Sequence, residues 1–278
     1  MVRRGERRRG AAAQLAAAPR ELFRPMKRKF APSTVLGEEQ THEVHRLSMR
    51  ILSEIGLTFH AQSAWDTLEA NGCAVDRETG NVRFDPAAVE HFVAMAPGAV
   101  DMAARDSAKT VHFGGDSIVW GSASSAPNVL DQERGRRPGT GADFQELLRL
   151  GHMMPSLHVM GGHPVEPIDR PPNTRHLDSM FDWLTLSDKV LRVYGIGTTR
   201  VEDGLEMIKI GYGIDEAELN EVPHTMSVLN VNSPLLVDEP LLLGSIALAR
   251  RGQATIVSPV AMSGAMSPIT ASGSLIQH

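Results

Sequence analysis

Gly161-Gly162-His163-Pro164-Val165-Glu166-Pro167 is the segment of this chain whose residue types and spacing are best suited to chemistry. The glycine pair lets backbone approach a ligand closely. The two prolines stiffen a loop that presents an imidazole and a carboxylate three positions apart. Such a pair can anchor a polar ligand or serve as acid and base; it could equally be spent locally, with His163 capping a backbone group and Glu166 pairing with Arg170. Three further segments have comparable composition. Tyr194-Gly195-Ile196-Gly197 carries an aromatic ring, and Asn230-Val231-Asn232-Ser233-Pro234 carries two amides and a hydroxyl. The latter could hold a carboxylate or other polar head group, or satisfy loop carbonyls as Asn and Ser do in turns. Ser258-Pro259-Val260-Ala261-Met262-Ser263-Gly264 is small and Met-containing, suited to lining a pocket for a small apolar or methylated group.

These segments share one position in a repeating pattern. Short apolar runs at His158–Met160, Val190–Tyr194, Thr225–Val231 and Ala254–Val257 begin 32, 35 and 29 residues apart, and each chemical segment lies at the end of one run. Amphipathic stretches at about 174–187, 201–212 and 238–250 fill the gaps. Apolar, Val/Leu/Ile-rich runs separated by helices predict parallel strands covered on both faces. A doubly wound dinucleotide fold should place a glycine fingerprint after its first strand, and Gly195-Ile196-Gly197 is only a piece of one. The pattern predicts the α/β class with a TIM-type (β/α)8 barrel, of which only the first four β/α units are present. In that fold working residues sit at the C-terminal ends of the strands. The chain stops at Gln277-His278, inside what should be the helix after the fourth strand, which predicts an incomplete barrel.

The preceding residues have other periods. Thr140 and Asp143 are spaced as a capping box opening a helix. Residues 33–139 predict a small α+β module. A helix runs through Val44, Leu47, Ile51, Leu52 and Ile55 to Gly56. A shorter helix carries Trp65 and Leu68, and a hairpin turns at residues 76–80. A third helix is opened by Asp85-Pro86, and an antiparallel meander spans 100–138. Residues 1–32 form a basic arm, with ten Lys or Arg against two Glu in the first thirty positions. The remaining residues hold 18 basic and 31 acidic side chains, for a net charge of −5 overall. No recognised nucleic-acid module follows the arm, so we expect no nucleic-acid partner. The arm and the outer helices would instead permit packing into a homo-oligomer.

Several chemistries are disfavoured by what the sequence lacks. Cys73 is its single cysteine; it can form no internal disulfide or Cys-based zinc site, and a reducing cytoplasm fits it best. No apolar run reaches the roughly 18 residues that span a bilayer, so no membrane association is expected. His42-Glu43-Val44-His45 spaces its histidines at i, i+3 rather than as a zinc-protease pair, so no metal ligands are assigned. The serines at 122, 124 and 125 lack a nucleophile-elbow context.

The order of several motifs resembles one known family. They are His45-Arg46-Leu47, Ile51-Leu52-Ser53-Glu54-Ile55-Gly56, Gly135-Arg136-Arg137-Pro138, the Gly161–Pro167 loop, Asn232-Ser233-Pro234-Leu235, Asp238-Glu239-Pro240 and Gly264-Ala265-Met266-Ser267-Pro268-Ile269-Thr270. In register and over nearly the whole chain, they resemble the corrinoid-dependent trimethylamine methyltransferases. The resemblance implies a TIM barrel of roughly twice this length. Such an enzyme moves a methyl group from a methylated amine, trimethylamine or a quaternary amine such as glycine betaine, to cobalt. The corrinoid (cobalamin) would be supplied by a partner corrinoid protein, with no cofactor bound by this chain directly. Archaeal members carry pyrrolysine, at a position that would lie beyond His278, so the catalytic group is expected there and this chain alone is expected to be inactive. A methylated cation favours an aromatic face and a nearby carboxylate. That implies substrate binding by Tyr194 and Glu166 with His163 beside them. Asn230, Asn232 and Ser233 would meet a betaine carboxylate, and Ser258 would line the pocket. Two other readings fit the residues: a lyase- or aldolase-type barrel using His163 and Glu166, and a non-catalytic assembly subunit.

Overall fold

A computed structural model describes Phe23, residues 25–232 and residues 234–278; residues 1–22 of the basic arm lie outside the described residues. The chain enters through strand β1 (Met26–Lys27) and helix α1 (Glu38–Arg50). The Gly37 amide donates to the Gln40 side chain at 2.9 Å, closing the α1 N-terminus. A π-helical turn over Ile51–Ile55 ends at Gly56. Strand β2 (Leu57–Phe59), helix α2 (Trp65–Ala70) and the hairpin of β3 (Ala74–Asp76) and β4 (Asn81–Arg83) follow. Helix α3 (Pro86–Met95) starts where the Asp85 carboxylate accepts from the Ala87 amide at 2.8 Å.

Between residues 99 and 138 the expected meander is replaced by separate ladders. β5 (Ala99–Met102) pairs with β6 (Val111–Gly114), β7 (Ser117–Ile118) pairs with β1, and β8 (Asn128–Asp131) pairs with β9 (Gly135–Pro138), all antiparallel. The reason lies just after β7. The Trp120 carbonyl accepts from the His158 and Val159 amides, and Gly121 bridges Val159 in parallel. This segment therefore joins the next sheet instead of folding back on its neighbours.

The second half alternates as its periodicity predicts. Helix α4 (Gly141–Met153), β10 (Val159–Met160), α5 (Arg175–Leu186), β11 (Val190–Arg192), α6 (Thr198–Tyr212), the short α7 (Glu216–Glu221), β12 (Thr225–Asn232), β13 (Leu236–Val237), α8 (Glu239–Arg250), β14 (Ala254–Pro259) and α9 (Ala271–Gln277) complete the chain. The predicted capping box opens α4: Thr140 Oγ1 donates to Asp143, whose carboxylate also accepts from the Thr140 amide at 3.0 Å. β10, β11, β12 and β14 are parallel neighbours in chain order. β14 follows one edge of β12 from Met226 to Val231, while β11 uses the other edge only at Thr225 and Met226. The upper part of that second edge is taken by β13, antiparallel to β12 and parallel to β2. Through β13 the N-terminal strands β2, β4 and β3 join the same eight-stranded mixed sheet. The result is a mixed α/β architecture in which the parallel strands do not close on themselves.

Alternation along the strands separates two apolar layers. Met160, Leu191 and Val193 pack against Phe144 and Leu148 of α4, Trp183 of α5, Leu205 and Ile208 of α6 and Leu248 of α8. Val159, Val190 and Met226 face the opposite way, onto Met102 and Val111 of the β5–β6 hairpin, with Ala254 beside them. Helices thus cover one face, and a hairpin fills the N-terminal end of the other. No helix among the described residues is long and apolar enough to cross a membrane.

Candidate functional site

Once Val159, Val190, Met226 and Ala254 define the inner face, alternation places Gly161, Arg192, Tyr194, Asn230 and Ser258 on that face, toward the C-terminal ends of the strands. The loop after β10 returns His163 to this end. Its ring is 3% exposed, with centroids 5.2 Å from Phe144, 5.6 Å from Trp183 and 5.0 Å from Tyr194. Its Nδ1 lies 3.1 Å from Glu166 Oε2.

Glu166 collects several partners. The Ser125 hydroxyl lies near enough to lower its pKa, and the Arg175 guanidinium stands 4.0 Å away. Burial alone would raise its pKa. The hydrogen bond and charge of His163, with Arg175 and Ser125, outweigh burial and hold the carboxyl below its ordinary value. Burial and the Glu166 carboxylate push the Tyr194 phenol up, against the pull of Arg200 and Arg175. The Arg200 guanidinium sits 5.4 Å from the centre of the Tyr194 ring, so this ring already serves as a cation platform. The alternative of a Glu166–Arg170 pair is not realised. Arg170 pairs with Asp182 at 2.5 Å instead.

The serines discounted from the sequence belong to this site. Ser122 Oγ accepts from the Gly161 amide at 2.9 Å, and the Ser125 amide donates to the His163 carbonyl at 2.6 Å. The Glu166 amide in turn donates to Ala126 at 2.9 Å. Ser125 holds φ at 61°, unusual for a residue with a side chain. Gly162 has φ of +127°, and an added Cβ there would stand 2.2 Å from Ser124 Oγ; only glycine fits. Residues 121–126 and 161–166 are thus laced together over the end of β10. A run of small polar residues directly after the apolar 118–120 run was the available signal. Phe144, Trp183, Arg175 and Arg200 carried no such signal, since their approach depends on helix packing, whereas Arg192 on β11 shares the face of Tyr194 by strand alternation.

The remaining candidate residues divide. Asn230 of β12 and Ser258 of β14 are register partners and both half-buried. The Asn232 amide donates to the Asp238 carboxylate at the start of α8, so it is engaged within the protein. Ser233 lies outside the described residues. Among the described residues no group of three or more His, Cys, Asp or Glu gathers as a metal site. His42 and His45 stand on exposed α1 beside Glu38 and Glu90.

A cavity of about 50 Å³ lies within the cluster, lined by Ser124, Ser125, His163, Trp183, Arg192 and Tyr194 among others. Larger hollows lie elsewhere. One of about 400 Å³ lies between Leu52, Leu68, Phe84 and Phe92. Another of about 590 Å³ lies where Phe59 and Leu68 approach Thr198 and Leu242. Chemically, the cluster can hold a charged group between an ionised carboxylate, an aromatic face and guanidinium groups.

Comparison with known proteins agrees with the motifs. The family model for trimethylamine methyltransferase matches residues 3–278. Glycine betaine methyltransferase of Desulfitobacterium hafniense (strain Y51) is 31% identical over 241 residues, covering 87% of this chain and 50% of that protein. Trimethylamine methyltransferase MttB of D. hafniense (strain DSM 10664 / DCB-2) is 24% identical, covering 87% and 48%. MttB1 of Methanosarcina mazei is 23% identical, covering 86% and 49%. The chain spans about half the length of these curated relatives. It belongs to the trimethylamine methyltransferase family.

Proposed function

We propose that this chain contributes the first part of a methyltransferase that moves a methyl group from a methylated amine, trimethylamine or a quaternary amine such as glycine betaine, to the cobalt of a separate corrinoid protein. The similarity to methyltransferases of both amines over most of the chain supports this reading. The observation that carries it in the structure is Glu166, its carboxyl pKa held below the ordinary value, hydrogen-bonded to the His163 ring that stacks near Tyr194 at the strand ends. On this reading the parallel strands are part of a TIM-type barrel. Their sequential order supports that, as do the 43% and 63% exposures of Ile256 and Val257 on β14.

Methyl transfer from an ammonium leaves a neutral amine, so little proton movement is required. Corrinoid cobalt, the acceptor substrate, supplies the nucleophile. This chain's residues bind the cation, align its methyl group and exclude water. Glu166 and Tyr194 would attract the ammonium, and His163 would fix the carboxylate through Nδ1. Asn230 and Ser258 would line the far side. The His163 ring is 3% exposed and enclosed by three aromatic rings, which leaves a corrin ring no approach to it.

The test is calorimetric titration of the chain with tetramethylammonium, choline and glycine betaine. Binding of at least one, weakened at least tenfold by Tyr194→Ala, is expected. No binding of any of the three would refute the reading.

A further inference from the structure

At the end of the strands opposite the candidate site, the β5–β6 hairpin plugs the inner face, and its turn is fastened there by charge. The Ala103 amide donates to the Pro223 carbonyl at 2.8 Å, and the Asp106 amide to the Asp188 carbonyl at 3.4 Å. The Arg105 guanidinium donates to the carbonyls of Leu184 and Ser187, the latter at 3.1 Å. Lys109, 6% exposed at its side chain, donates to Asp188 Oδ1 and stands 3.4 Å from Asp106. Asp188, between α5 and β11, is thus the carboxylate that holds the turn to the strand ends.

The same oxygen has a second claimant. His152, in the last turn of α4, places a buried Nδ1 3.4 Å from Asp188 Oδ1, without a hydrogen bond. While the imidazole is neutral, Lys109 keeps the carboxylate. A protonated imidazole competes for Oδ1 and adds a cation where cations are already in excess. Among the described residues Lys109, Lys189 and Arg105 act on His152 against Asp188, and Asp106 is the remaining carboxylate beside Lys109. Tyr212, its phenol pushed by burial up to about 12, stays neutral near Arg105 and Asp188. Three cations against two carboxylates leave nothing to balance a fourth, and an unbalanced charge held away from water is costly.

We infer that this cluster is an acid-released clamp: proton uptake by His152 draws Asp188 from Lys109, frees the β5–β6 turn and loosens the plug from Val159, Val190 and Met226. Titration runs in the same direction. Burial and the three cations hold the His152 imidazole below its ordinary value, against the pull of Asp188. Burial alone would raise the Asp188 carboxyl, but the hydrogen bond and charge of Lys109, with His152, hold it below its ordinary value, so it stays ionised in mild acid. The open form therefore binds the proton more readily than the closed one. The clamp is at full strength above the ordinary imidazole value near ~6.5 and weakens as pH falls below it.

The experiment is hydrogen–deuterium exchange of the chain at about pH 7.5 and pH 5.5, corrected for the intrinsic pH dependence of exchange. The amides of Lys109 and Thr110, bonded to the carbonyls of Asp106 and Ser107, are expected to lose protection about threefold or more in acid, while those of Leu205 and Ile208 in α6 keep theirs. His152→Gln should abolish the difference. Lys109→Met should open the turn already at the higher pH and leave little further response, and it decides the matter should His152→Gln fail to fold. Undiminished protection of the turn in acid would overturn the inference. A loss shared equally by α6 would mark general acid destabilisation and overturn it too. So would a response that survives in His152→Gln; its disappearance in His224→Gln would then assign the proton to His224, which packs on Tyr212 at the same end.

Discussion

Replacing Glu166 by Gln should destabilise the protein at neutral pH and do so less in acid. The carboxylate is 18% exposed at its side chain, so solvent screens it only partly. Gln keeps the shape and one acceptor for His163, but loses the charge that strengthens the 3.1 Å contact and the attraction of Arg175 at 4.0 Å. Loss of charge assistance in one such bond costs about 1–2 kcal/mol. The sign with pH follows from the lowered carboxyl pKa. The stabilisation is fully present above the unfolded carboxylate value near ~4.3. It disappears as pH falls through the lower folded value, where both states hold the proton. Urea unfolding followed by tryptophan fluorescence would read this, since Trp183 contacts His163. At pH 7 the variant's midpoint should fall by about 0.3–1 M, and at pH 3 the two proteins should agree more closely. Equal midpoints at pH 7, or an undiminished gap at pH 3, would refute the placement of an ionised carboxylate beside His163.

Two further outcomes are expected. A Cβ at Gly195 would meet Ser227 Oγ at 1.7 Å and its Cβ at 2.7 Å, so Gly195→Ala should cost about 1–3 kcal/mol or more. Adding Ser227→Gly should recover much of that loss in thermal melts; a double variant no better than Gly195→Ala would show the strain lies elsewhere. Lys189 is 1% exposed and donates to the carbonyls of Gly151 and Met154 at 2.9 and 2.7 Å, while burial brings its pKa down to about 8. Being lowered from about 10.5, it lets the unfolded state bind more protons between those values, so stability contributed by this group should rise with pH from about 8 to 10.5. Thermal melts of the Lys189→Met variant over that range should lack this component; the same rise in the variant would rule it out.

Much of this was legible in the chain and some was not, for physical reasons that differ by residue. The 29–35-residue spacing of apolar runs and the amphipathic stretches between them located all four parallel strands and their helices, because burial on two faces imposes its own composition. Local signals worked likewise: Thr140 with Asp143, Asp85 before Pro86, and Gly56 act on their own backbone neighbours. The strand ends marked His163, Glu166 and Tyr194 as one group, since strand order and side-chain alternation bring them together once the strands are parallel. What sequence periodicity could not reveal was pairing between distant short pieces. β2 and β13 have three and two residues, too few to display a period, yet together they tie the N-terminal strands to the end of β12. Tertiary packing alone set the company of each polar group. It gave Arg170 to Asp182, Asn232 to Asp238 and His163 to Glu166, and among the described residues it left Arg192, Trp183 and His163 each with a buried polar atom lacking a partner around one cavity. Side-chain type is written in the chain, whereas the partner available to a buried charge is settled only when helices and strands from distant positions close around it.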